Sequence, residues 1–219
     1  MISTFLLTAI LVNQSNEPVP DVRVLQEVSM GQFVNTCTIT RTPRPDKGLV
    51  WEEKSVDDQK SSWTYRSEYD RNGNFVIASA EFKNPKESLW QLYSEDGAIS
   101  LITAKYNGET LNQREQYEFN SEDMGNKAML WWYTQLPTKS ETVASAQFVP
   151  LNGLFRIKTT YEGDETLTIK GKTYETHRIK RELGIRTEIW WLDNKGLPVQ
   201  RHFTMEGSSK PHRIDTIKS

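Results

Sequence analysis

The stretch NGNFVIASAEFKNPKESLWQLYSEDGAISLITAKYNGETLNQREQYEF, residues 72–119, decides the fold class. It holds three turn pairs, Asn72-Gly73, Asp96-Gly97 and Asn107-Gly108, separated by strand-length segments. Asn, Asp and Gly take positive φ readily, which matches the twist of two antiparallel strands joined by a two-residue turn. Residues 75–82, 89–93, 99–106 and 111–119 therefore read as consecutive strands of an up-and-down meander.

The same rhythm extends outward. Upstream, Trp63, Tyr65, Ser67 and Tyr69 alternate into the Asn72-Gly73 turn. Before them, RTPRPDKG (residues 41–48) reads as a loop, and residues 33–40 as a strand. Val22, Val24, Gln26, Val28 and Met30 share one face of a first strand that ends near Gly31. Downstream, residues 121–140 break the pattern. Ser121-Glu122-Asp123 supplies a cap and an acidic first turn, KAMLWWYTQL follows, and Pro137 stops it. This segment reads as a short helix or irregular cover over the sheet. The meander resumes through Phe155, Ile157, Thr159 and Tyr161, with a loop expected at Gly163-Asp164. It continues over residues 174–181, then Ile185, Thr187, Ile189 and Trp191, then Leu197, Val199 and Phe203, and ends at residues 213–217. The expected fold is mainly β: one curved antiparallel meander or open half-barrel of about ten to twelve strands. No repeat and no βαβ alternation interrupts that reading.

Composition narrows the class. The chain has 219 residues, a net charge of −2 and 23 aromatics, too many for disorder and too neutral for a nucleic-acid partner. Hydrophobic residues make up 36%; with glycine counted and tyrosine left out the share is about 38%, against roughly 45–50% in ordinary globular chains. That predicts an interior that is thin or incompletely enclosed. No apolar run reaches the roughly 18 residues of a membrane span. Residues 2–12 (ISTFLLTAILV) suit the apolar region of an export signal, although no Lys or Arg precedes them and no small-x-small site follows. A first strand or short helix is the alternative. Residues 1–21 are thus expected to form an export-signal remnant and linker, and residues 22–219 a single β domain.

Catalytic and metal chemistry find little support. Cys37 is the only cysteine and shares a strand face with Ile39, so it reads as a small buried hydrophobe. His177, His202 and His212 have no spacing that pre-arranges a zinc site. There is no G-x-S-x-G and no Gly-rich phosphate loop. The acidic pairs Glu52-Glu53, Asp57-Asp58, Glu95-Asp96 and Glu122-Asp123 read as solvated turn residues rather than a glycosidase pair. No cofactor and no catalytic residue is expected.

A resemblance rests on the second half. GKTYETHRIK (171–180), Ile189-Trp190-Trp191-Leu192-Asp193 and Gly196-Leu197-Pro198-Val199-Gln200-Arg201 resemble the C-terminal part of exported bacterial proteins of unknown function. Those proteins are long curved β-meanders. The same hairpin is similar to that of periplasmic lipoprotein carriers, which fold as open half-barrels. The resemblance covers about residues 145–219. It implies an envelope location and an apolar ligand, and it carries over no catalytic residue.

The resulting expectation is a non-catalytic envelope protein that binds or shields a lipid or acyl chain in an open β groove. Trp63, Tyr65, Tyr69 and Trp191 would form the groove wall, and Trp131, Trp132 and Tyr133 a lid. Two alternatives share the composition: a carbohydrate-binding β module with exposed rings, and an envelope structural protein without a small ligand. The edge strands of an open meander need a cover, for which a second copy and a partner chain are both open and the sequence selects neither.

Overall fold

The computed structural model describes the backbone of residues 19–72, 75–84, 87–94, 99–106, 109–116, 140, 142–149 and 153–218. The export-signal segment and the lid residues Trp131, Trp132 and Tyr133 lie outside the described residues.

The described chain is an antiparallel sheet of fourteen strands. The first meander comprises β1 (Asp21–Ser29), β2 (Gln32–Pro43), β3 (Leu49–Asp57) and β4 (Ser62–Tyr69). It continues through β5 (Phe75–Lys83), β6 (Glu87–Ser94), β7 (Ile99–Tyr106) and β8 (Glu109–Gln116). The second comprises β9 (Thr142–Val149), β10 (Gly153–Ile169), β11 (Lys172–Leu183), β12 (Arg186–Leu192), β13 (Pro198–Met205) and β14 (Arg213–Ile217). Each strand pairs with its sequence neighbour within a meander, and β1 pairs with β14 to join the two. The order runs from β8 through β1 to β14 and on to β9. Among the described residues no ladder closes β8 onto β9, so the sheet is open. β4 pairs antiparallel with β5, β6 with β7 and β7 with β8, the strand order the sequence predicts, while Gly73, Asp96-Gly97 and Asn107-Gly108 lie outside the described residues.

Two features add to the expected strands. β3 (LVWEEKSVD) is a full strand although four of its nine residues are charged. The Gly163-Asp164 loop is instead a bulge inside the long β10, where the register shifts between Tyr161 and Gly163. Gly163 has φ near 125°, a conformation that L side chains rarely adopt. The bulge lets one strand turn a corner without a break in pairing.

The sheet is strongly rolled. Arg201 on β13 forms an ion pair with Glu53 on β3 at 2.8 Å. Four inter-strand steps separate those strands, roughly 19 Å along a flat sheet. That is farther than the two side chains together can reach, so the face they share is concave. Buried residues of β1–β5 and of β10–β12, with Leu197 of the β12–β13 turn, accordingly form one cluster. The turn also closes over one end of the concavity. Asp193 pairs with Arg23, Lys195 Nζ reaches Asp21 at 2.6 Å, and Arg41 donates to the Lys195 carbonyl at 2.8 Å. Asp193 holds the turn in shape by accepting from the backbone N–H groups of Lys195 and Leu197.

Candidate functional site: an aromatic and ionic inner face

Period-2 alternation assigns the inner face strand by strand. On β1 it carries Leu25 and Glu27, both buried, whereas Val22 and Met30 stand exposed. The sequence-level face of Val22, Val24, Gln26, Val28 and Met30 is therefore the outer one. On β2 the inner residues are Cys37 and Ile39, and on β3 Leu49, Trp51, Glu53 and Ser55. β4 adds Trp63, Tyr65, Ser67 and Tyr69 in the same phase.

Of the four residues expected to line a groove, Trp63, Tyr65 and Tyr69 share the inner face of β4. Tyr65 and Tyr69 are 5% and 2% exposed. Trp63 is half-buried, packs against the core and stacks on Tyr65 with ring centroids 5.9 Å apart and planes 7° from parallel. Burial and the neighbouring Tyr65 push the Tyr69 phenol well above its ordinary range. Ser67 Oγ donates to its oxygen at 3.1 Å. Trp51, which the sequence reading passed over, is fully buried in this wall and donates Nε1–H to Glu53 at 3.0 Å.

Trp191 stands apart from that wall. β12 places Trp190 in the inner cluster and turns Trp191 to the opposite face, because adjacent residues of a strand point opposite ways. There Trp191 donates Nε1–H to Glu165 at 2.8 Å, meets the His202 ring edge-on at 4.7 Å and lies under the Arg178 guanidinium.

Beside the aromatic wall runs a seam of buried charge that the sequence reading missed. Ser55 donates to Glu27 at 2.9 Å, and Glu27 pairs with Arg213. Arg213 Nε pairs with Asp215 at 2.7 Å, and Asp215 pairs in turn with Arg201 Nη2 at 2.7 Å. Arg201 then reaches Glu53. Trp190 lies between the guanidiniums of Arg201 and Arg181, each 4.9 Å from its ring, and donates Nε1–H to Glu188 at 3.0 Å. Glu188 pairs with Arg181 at 2.6 Å and with Arg186 at 2.5 Å. Glu53 is thus an interior partner, not the solvated turn residue its Glu52-Glu53 pairing suggested. Four arginines meet four carboxylates, so the seam is neutral. Each buried charge is compensated, as low dielectric demands.

The same surroundings fix protonation. Burial pushes the Glu188 carboxyl upward, but Arg181, Arg186 and the Trp190 N–H together hold it below its ordinary value of 4.5. A carboxylate depressed by folding contributes stability above its unfolded pKa and loses it as pH falls through the folded value. The stability gap between wild type and Glu188→Gln is therefore expected to be full at pH 7 and to shrink below about pH 4.5. Urea midpoints of both proteins between pH 7 and pH 3 measure it; a gap constant with pH would contradict the charged pair. Burial also pushes the Cys37 thiol up to about 12, so it is no nucleophile at neutral pH.

The histidines are dispersed. His177 Nδ1 lies 2.7 Å from Asp164, whose carboxylate also accepts from Tyr161 Oη at 2.7 Å. His202 packs on Trp191, and His212 bonds through its backbone to Phe203 and Met30. No group of three or more His, Cys, Asp or Glu that could hold a metal occurs among the described residues. Nor is any helix among them long and apolar enough to cross a membrane.

No family model matches the chain, and no curated protein matches it. One solved structure does, over 93% of this chain and 97% of its own, with a TM-score of 0.56 and 8% identity. It is a beta-barrel-like protein of a domain of unknown function, DUF1849, from Brucella abortus. The shared feature is the fold. At that identity the likeness extends to the rolled sheet and not to its side chains.

Proposed function

We propose that the protein is a non-catalytic, exported binding protein that holds a lipid or acyl chain along the concave face of its open sheet. The observation that carries this is the aromatic stripe of β4. Tyr65 and Tyr69 are buried in the concavity, while Trp63, stacked on Tyr65, keeps part of its surface free at the margin. Rings arranged in this way suit a flexible apolar chain that threads past Trp63. Sugar-stacking rings would stand on an open surface, which Tyr65 and Tyr69 do not.

Native mass spectrometry of protein purified from its own envelope fraction, with organic extraction, tests the reading. The expected result is a stoichiometric acyl-chain species that is lost or reduced at least about tenfold in Trp63→Ala, since truncating an aromatic anchor commonly costs 2 kcal/mol or more. A clean apo mass from the wild type overturns the reading.

A further inference from the structure

The inner face ends, at the margin where Trp63 stands, in a cluster of arginines around one apolar ring. Phe203 on β13 has the Arg213 guanidinium 4.6 Å from its centroid, Arg201 at 5.6 Å and Arg186 at 5.7 Å. The three are not equivalent. Arg201 is buried, and all of its nitrogens are engaged by Asp215, Glu53 and Cys37. Arg186 and Arg213 come from β12 and β14, the strands on either side of β13, and their side chains are 39% and 33% exposed. Arg186 uses Nη2 for Glu188, leaving Nη1 outside that bond. Arg213 uses Nε and Nη2 for Asp215 and Glu27, leaving Nη1 outside those bonds.

The site joins the groove directly. Arg213 pairs with Glu27, Glu27 accepts from Ser55, and Ser55 is the cross-strand partner of Trp63. Each of the two half-exposed, ion-paired arginines, Arg186 and Arg213, thus keeps a terminal nitrogen outside its ion pairs at the end of the seam. Such donors match the planar oxygens of a carboxylate or the oxygens of a phosphate. Phe203, itself buried, packs between Arg186 and Arg213 and spaces the two guanidiniums.

We propose that Arg186 and Arg213, spaced by the buried Phe203, form a head-group subsite that selects acyl ligands carrying an anionic head, a carboxylate or a phosphate. The proposal rests on the groove reading and adds a charge requirement to it. The head sits at the margin, and the chain runs inward past Trp63 and Tyr65.

Equilibrium binding of dodecanoate, dodecyl phosphate and dodecanol to the full chain, by calorimetry at fixed ionic strength, separates the possibilities. The expected result is that at least one anion binds about tenfold or more tightly than the alcohol, as charge-assisted hydrogen bonds predict. The tighter of the two anions identifies the head. In Arg186→Gln the anion-to-alcohol ratio should fall towards one, in Arg186→Lys it should be partly kept, and in Lys158→Gln, on the outer face, it should not change. Equal binding of all three by the wild type overturns the head-group subsite and leaves the groove intact. Binding of none overturns both. The wild-type comparison stands even if a variant fails to fold.

Discussion

Arg201→Met is expected to destabilise the protein by about 3–5 kcal/mol, the usual cost of removing one partner from a buried ion pair. The side chain is nearly fully buried and binds Asp215 and Glu53 at once. Its removal strands the two carboxylates unequally. Asp215 keeps Arg213 at 2.7 Å, whereas Glu53 keeps only the Trp51 N–H among its described partners. The loss should therefore fall mainly on Glu53. Adding Glu53→Gln, which retains an acceptor for Trp51 and removes the uncompensated charge, should restore at least half of it. Urea unfolding of the two single variants and the double variant gives the coupling. Simple additivity would mean that β13 and β3 do not meet across the concavity, and the rolled sheet would be wrong. This measurement thus tests the curvature as much as the pair, because Arg201 and Glu53 lie four strands apart.

The seam also explains the low apolar content. A chain that is 36% hydrophobic predicts an interior that is thin or incompletely enclosed. The inner face is instead occupied in part by Glu27, Arg181, Glu188, Arg201 and Asp215, all buried. These residues occupy positions that a non-polar core would give to Leu or Val. Replacing such pairs by apolar groups is often neutral or stabilising elsewhere, so their presence here is not explained by stability alone. A polar interior that ends in half-exposed arginines is consistent with an inner face that meets a ligand head.

How legible this was in the sequence differs by element. The Asn-Gly and Asp-Gly turns specify local geometry, and local geometry suffices to order neighbouring strands of a meander. β3 was hidden because Glu52, Glu53, Lys54 and Asp57 mask its alternation, although Leu49 and Trp51 carry the inner phase. The bulge at Gly163 read as a loop because a glycine followed by an aspartate commonly ends a strand; only the continued pairing of β10 with β11 on both sides shows otherwise. The charged seam had a signal that alternation could have exposed. Glu27 falls in phase with Leu25, Glu188 with Trp190, and Arg201 with Val199 and Phe203. A charge in the apolar phase of a strand marks a buried ion. What no single strand reveals is its partner, because Arg201 and Glu53 are 148 residues apart. Pairing at that distance depends on how far the sheet rolls.

The Trp190-Trp191 pair offers the sharpest test of which face is inside. Trp190→Ala is expected to cost about 3–5 kcal/mol, the usual loss for a buried aromatic in a well-packed core. It removes the ring clamped between Arg181 and Arg201 and the N–H donated to Glu188. Those guanidiniums then lose a cation–π partner as well as a packing surface. Trp191→Ala removes a ring of the same size that is also largely buried, yet its neighbours are Arg178, Glu165 and His202 on the outer face. Its loss should be smaller, because the half-exposed Arg178 and Glu165 can re-solvate where Arg181 and Glu188 cannot. Hydrogen exchange should localise the difference: Trp190→Ala should loosen β12, β13 and β3 together, and Trp191→Ala chiefly the hairpin of β10 and β11. If Trp191→Ala proves the costlier substitution and unlocks β3, the phase of β12 is reversed. Trp191 would then line the concavity, and the Arg181–Glu188 pair would face solvent.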